Sequence, residues 1–238
     1  MKDNKVQLIT RLAIALTGLG LIAQLGTPTP ATAQSFKDLQ IPKTPLVLKA
    51  WGSFFVGGDT VKTTAAEMGI DALGLGGTGH LVNNQMYVQY LVPQGGTRVP
   101  VVMVHGGTLT GKGYETQPDG RMGWAEYFVR KGHPVYIPDM VTRGRSGFNI
   151  APYNNVRAGV TPPSSQAPLF RFSNEDVWTL FRFGPKLGAR YRDTQFPLGV
   201  VGEFSKQSVP IINTFEPGTG GRPVQTPIGR LSRNWPSS

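Results

Sequence analysis

Residues 101–147 read VVMVHGGTLTGKGYETQPDGRMGWAEYFVRKGHPVYIPDMVTRGRSG, and the fold class follows from this stretch. Val101 to Val104 form a short apolar run that His105-Gly106-Gly107 cuts off, the pattern of a buried parallel strand ending in a glycine turn. Such a turn exposes backbone N–H groups. From Gly123 to Lys131, Trp124, Tyr127 and Phe128 recur at spacings of three and four, with Glu126, Arg130 and Lys131 on the other side, which predicts a short amphipathic helix. His133-Pro134 ends that helix. Val135-Tyr136-Ile137 then predicts a second buried strand with Asp139 at its carboxyl end, where α/β sheets place ligands. The simplest unit that accommodates these signals is βαβ.

Upstream, Leu48 to Val56 (LKAWGSFFV) has strand character and is expected to end at Gly57-Gly58-Asp59. A long Thr- and Gly-containing loop follows, and the alternating run Met86 to Val92 predicts another strand, paired antiparallel with the first at one edge of the sheet. Gly74, Gly76, Gly77 and Gly79 do not make a phosphate-binding loop, because no strand feeds a helix there and no Gly-Lys-Ser/Thr follows. Residues 34–48 are polar, with Pro42 and Pro45, and read as an extended lead-in. Before them, Lys2, Lys5 and Arg11 precede the apolar run Leu12 to Leu25 and the small-residue site Ala31-Thr32-Ala33, so residues 1–33 are expected to be a secretory signal peptide. That run spans roughly 20 Å as a helix, short of the ~30 Å hydrocarbon core. The expected location is secreted or periplasmic, with no membrane attachment after cleavage.

The 31 Gly and 20 Pro in 238 residues, with 16% charged residues, imply much turn and loop. The formal charge of +10 includes three cations and one anion of the leader. A basic chain admits nucleic acid as a partner, but the cations are scattered, with only short pairs such as Arg143 and Arg145, so solvated surface charge is the better reading. No nucleic-acid partner is expected. Having no Cys, the chain can form neither disulfides nor thiolate metal sites. His80, His105 and His133 are too scattered to suggest a metal site, so no cofactor and no metal are expected.

With His105-Gly106-Gly107 after one strand and Asp139 to Ser146 (DMVTRGRS) after the next, the chain resembles the α/β-hydrolase superfamily. The segment from Tyr114 to Trp124 is similar to a group of secreted bacterial esterases, and the likeness runs from about Trp51 to Pro210. The resemblance implies an α/β-hydrolase-type sheet, N-terminal part only: edge antiparallel strands, then parallel βαβ, with a helical cap region. It implies that N–H groups of Gly106 and Gly107 supply half of an oxyanion hole. Glycine would let the backbone approach the substrate oxygen, or adopt a φ closed to other residues. His105 is expected to be a hydrogen-bonding residue of the turn, Asp139 to accept backbone N–H bonds from the turn around Arg143 to Ser146, and all four to be structural residues near the site.

Downstream, Asn174 to Phe183 predicts a cap helix started by Ser173 or Asn174, with Val177, Leu180 and Phe181 on one side. A weaker helix is expected between Gln195 and Val209. No serine stands in a G-x-S-x-G elbow; Ser146, in Gly144-Arg145-Ser146-Gly147-Phe148, lacks the final Gly and follows the wrong strand. Residues 213–238 show neither strand nor helix periodicity and are expected to be a disordered or frame-shifted tail, which leaves 34–212 as a partial hydrolase domain. The expectation is therefore an exported carboxylic-ester hydrolase, truncated and inactive as encoded, with a small-molecule ester as substrate of any activity. The alternative is a non-catalytic periplasmic ligand-binding or interaction protein. Loss of later strands would leave Val135 to Ile137 as an open sheet edge, with a partly exposed core and a tendency to aggregate.

Overall fold

The structure, a computed structural model, describes residues 35–95 and 98–212. The expected leader and the expected tail lie outside the described residues. Two long strands, β1 (Leu48–Thr64) and β2 (Thr78–Pro93), form an antiparallel hairpin whose tip carries the short helix α1 (Ala65–Met68). They are followed by β3 (Val101–Val102), α2 (Trp124–Arg130) and β4 (Val135–Asp139). The four strands form one sheet in the order β1-β2-β4-β3, with β4 antiparallel to β2 and parallel to β3. The expected edge pair and βαβ unit are both present.

The alternation of apolar residues explains the two-sided core. On β4, Tyr136 joins Val56, Met86 and Val88 on one face, while Val135 and Ile137 join Met103, Ala125 and Val129 on the other. All five residues of β4 are buried. Full burial of each Val or Ile side chain contributes about 1.5–3 kcal/mol, so this central strand anchors everything attached to its ends.

Three of these expectations change. β1 does not end at Gly57-Gly58-Asp59: both glycines take positive φ (72° and 105°), and pairing resumes at Asp59 opposite Asn83, so a 17-residue strand replaces most of the expected loop. Val135 to Ile137 is not an edge, because β4 sits between β2 and β3 and the outer position falls to β3. The helix α2 buries Ala125 and Val129, whereas Trp124 and Tyr127 are exposed. Ala and Val allow the close approach of helix to sheet that the bulkier rings would prevent. The aromatic spacing marked the helix but not its inner face.

After β4 come α3 (Ala151–Arg157), β5 (Leu169–Phe170), α4 (Asn174–Leu180), α5 (Val201–Lys206) and β6 (Ile211–Ile212), with β5 and β6 paired as a separate two-stranded sheet. Ser173 caps α4 as expected, accepting from Asp176 N while the Asp176 carboxylate accepts from Ser173 N. The inner face of α4 is Val177 and Trp178, not Val177 with Leu180 and Phe181. Leu180 is exposed at the last position of the helix, and Phe181 lies beyond it, where Arg182 turns the chain with φ 59°. Between Gln195 and Val209 the helix is confined to a 3-10 turn, Leu198–Val200, and α5.

Candidate functional site

Two turns meet at the carboxyl ends of β3 and β4. The first begins at His105. Its Nδ1 donates to Gly106 O at 2.9 Å, and its Nε2 accepts from Met140 N at 3.0 Å. A main-chain N–H can only donate, which fixes the proton on Nδ1 and leaves neither ring nitrogen free. Burial lowers the His105 pKa below its ordinary 6.5, partly offset by the Gly106 bond and by Asp139. Tying this ring to the start of the second turn couples the two loops.

Neither Gly106 nor Gly107 donates its N–H to a partner among the described residues, although Gly106 O accepts from Leu109 N at 3.3 Å. Neither glycine has a positive φ, and a Cβ added at either would meet nothing within 4 Å. Of the two reasons expected for glycine, the left-handed conformation does not apply; open space in front of the backbone does. The left-handed residue is Thr108 instead, φ 55° and fully buried, whose carbonyl accepts from Val209 N at 2.8 Å. A β-branched residue is strained there, and the bond to Val209 helps hold it.

The second turn is built on Asp139, which is 1% exposed. One carboxylate oxygen accepts from Gly111 N at 2.7 Å, and the other accepts from Arg145 N at 3.0 Å and Arg145 Nε at 2.7 Å. Burial alone would raise the Asp139 pKa, but the bonds from Arg145 and Gly111 outweigh it and hold the carboxyl below its ordinary 3.8. The Arg145 guanidinium also lies 4.1 Å above the Tyr87 ring. At Gly111 an added Cβ would lie 2.6 Å from Ile137 Cγ2 and 3.0 Å from Asp139 Oδ1, so here close packing requires glycine. Ser146 is buried; its Oγ donates to Asp139 O and accepts from Tyr87 N at 2.9 Å. Arg143 is half-buried and donates to Thr142 Oγ1 at 2.6 Å, so it faces its own turn.

A cavity of about 250 Å³ opens beside the first turn. His105, Gly106, Tyr114 and Gln117 line it from the sheet side, and Phe196, Phe204 and Gln207 from the segment around α5. Gly107 is not among its lining residues. Phe196 and Phe204 belong to an aromatic cluster in which Phe183 and Phe196 stack with centroids 4.4 Å apart. The site therefore mixes polar groups with the apolar rings of Phe196 and Phe204. Sequence reasoning missed Gly111, Tyr114 and Gln117 as site residues, because their roles come from where the loop after the turn folds back. Among the described residues no group of three or more His, Cys, Asp or Glu gathers in a metal-holding arrangement, and no helix is long and apolar enough to cross a membrane.

No protein-family model matches the chain. A solved structure described as that of a novel bacterial esterase is 43% identical, with a TM-score of 0.67, over 72% of this chain and 53% of that one. The chain resembles an ester hydrolase. It is also 42% identical, over 80 residues, to the fungal protein named probable secreted lipase phiG, covering 31% of this chain and 22% of the lipase. The chain thus spans about half the length of the esterase and about a fifth of the lipase. The likeness to the esterase and the mixed sheet with helices together place the fold as α/β-hydrolase-like.

Proposed function

We propose that this chain folds the carbonyl-binding side of an exported ester hydrolase. The N–H groups of Gly106 and Gly107 are the donors to an ester oxygen, and His105, Asp139, Arg143 and Ser146 hold the turns that present them. The observation that carries this reading is the pair of N–H groups in the turn after β3 that have no partner among the described residues, with Gly106 on the wall of a cavity that Phe196 and Phe204 also line. Donors fixed before the substrate arrives stabilise negative charge on the carbonyl oxygen without reorganising as it develops. Phe196 and Phe204 would receive the acyl chain, and a cavity of about 250 Å³ suits a short one. Residues 1–33 are the export signal on this reading, 34–212 the partial hydrolase domain and 213–238 a tail outside it. The name of the secreted fungal relative supports export.

As encoded, the chain is proposed to have no turnover. Both His105 nitrogens and the Ser146 hydroxyl are engaged in hydrogen bonds, and no serine has the elbow context that nucleophilic attack requires. A strand carrying such an elbow could join the sheet at the outer edge of β3, which supports the reading of this chain as the N-terminal part of a longer esterase. Downstream DNA without an apolar strand leading into G-x-S-x-G, in any frame, would sink that part of the reading.

The cavity is tested by titrating the purified chain with p-nitrophenyl butyrate while following its amide NMR spectrum and nitrophenolate release. The expected result is saturable shifts at Gly106 and Gly107 with release at the blank rate. Release well above the blank overturns the inactivity, and unmoved glycine amides overturn the site. A non-catalytic exported binding module shares the saturable shifts. Downstream DNA encoding the elbow separates the esterase reading from it.

A further inference from the structure

Between Ala50 and Val56 the outer edge of β1 lacks the usual protections. Exposed edge strands are commonly blunted by charge, proline or a covering segment. Residues 50–56, AWGSFFV, contain neither charge nor proline. Trp51 is 68% and Phe55 58% exposed, both on the same face of the strand. β2 pairs with one side of this segment, and among the described residues nothing else hydrogen-bonds to its main chain. The pairing with β2 shifts register between Leu48 and Ala50, and φ turns positive at Gly57, so residues 50–56 are the regular part of this edge.

We propose that this edge pairs with the same edge of a second copy, antiparallel about a two-fold axis at Ser53. An antiparallel strand is complementary to itself, so one isologous contact closes both edges and cannot propagate into a fibre. The side chains select the register. With Ser53 on the axis, Trp51 lies opposite the second copy's Phe55 and Phe55 opposite the second copy's Trp51, two aromatic cross-strand pairs. Shifting the axis to Gly52 or Phe54 puts Trp51 opposite Ser53 or Gly57 and loses both. In the Ser53 register Lys49, at the register shift before the segment, comes to the end where the second copy carries Asp59, twice over. Opposite charges thus flank an uncharged centre. This inference does not rest on the ester-hydrolase reading.

The absence of native cysteine makes the test specific. Ser53→Cys introduces a single thiol that would face its own counterpart across the axis, with Cα atoms about 4.5–5.5 Å apart and within disulfide reach. The full chain is expected to sediment at twice its mass, and Ser53→Cys to cross-link under mild oxidation much faster than Ala72→Cys at the exposed hairpin tip. Trp51→Lys with Phe55→Lys should give a monomer, and Trp51→Lys with Phe55→Glu should restore the dimer. A monomeric or heterogeneous wild type overturns the proposal, as does a dimer in which Ser53→Cys cross-links no faster than Ala72→Cys. Should the lysine pair fail to fold, the Ser53→Cys comparison still decides, because it leaves the aromatic residues in place.

Discussion

The turns after β3 and β4 lie side by side and use their main-chain groups in opposite ways. After β4, the Asp139 carboxylate collects three N–H bonds, and Ser146 ties the turn back to β2. After β3, Gly106 and Gly107 donate their N–H groups to no partner among the described residues, and Gly106 lines the cavity. The saturated turn is what keeps the unsaturated one in place: Asp139 grips Gly111 beyond the first turn, and Met140 donates to His105 at its start. Gly106 and Gly107 are exposed, so water can satisfy their N–H groups until a ligand takes its place.

Breaking the saturated turn should have the largest effect. Asp139→Ala would leave Arg145 and two N–H groups without their acceptor, and a loss of about 3 kcal/mol is expected in chemical denaturation, a large part of a stability of about 5–15 kcal/mol. A loss below about 1 kcal/mol would mean that the carboxylate does not organise the two turns.

Acid should act next, through the link between the turns. His105 is held neutral with a pKa lowered by burial, so the unfolded chain takes up the proton first as pH falls below 6.5. The stability it contributes is complete above that value and is lost on acidification toward the folded pKa. The Asp139 contribution, with a pKa lowered against 3.8, is lost only at still lower pH. Melting temperature is therefore expected to fall from pH about 8 to about 5 in the wild type, and less steeply in His105→Gln. Equal slopes would remove His105 from the link.

The unsaturated turn should respond least in stability. Gly106→Ala adds a methyl where nothing lies within 4 Å, at a φ other residues adopt, so stability should change by no more than about 0.5 kcal/mol. The same methyl occupies space in front of the N–H groups, and the ester-induced amide shifts should be lost. Retained shifts would place the ligand elsewhere.

Much of this arrangement was legible in the sequence because it depends on short-range pattern. The buried run at Val135 to Ile137 and the Ser173 cap each specify a local backbone state, and both formed, whereas the strand expected over Val101 to Val104 stops at Val102. The misreadings concern which surface an element faces and how far a strand runs. Trp124 and Tyr127 carry the helical period but remain exposed, while small Ala125 and Val129 face the sheet, since packing distance favours size over hydrophobicity there. Gly57 and Gly58 looked like a strand end because glycine marks turns, yet continued pairing with β2 carried the strand through two positive φ values.

By itself the sequence determined the strand–turn–helix–strand unit, the glycines at 106 and 107, the carboxylate at 139 and the lack of an elbow serine, because each is fixed by residue type and near neighbours. Tertiary structure alone decided that β3 rather than β4 lies at the edge, that Phe196 and Phe204 reach the glycine turn from about ninety residues away, and that His105 is locked on both nitrogens. Strand order, cavity walls and tautomer all depend on which distant segments come together, and local residue patterns carry no record of that pairing.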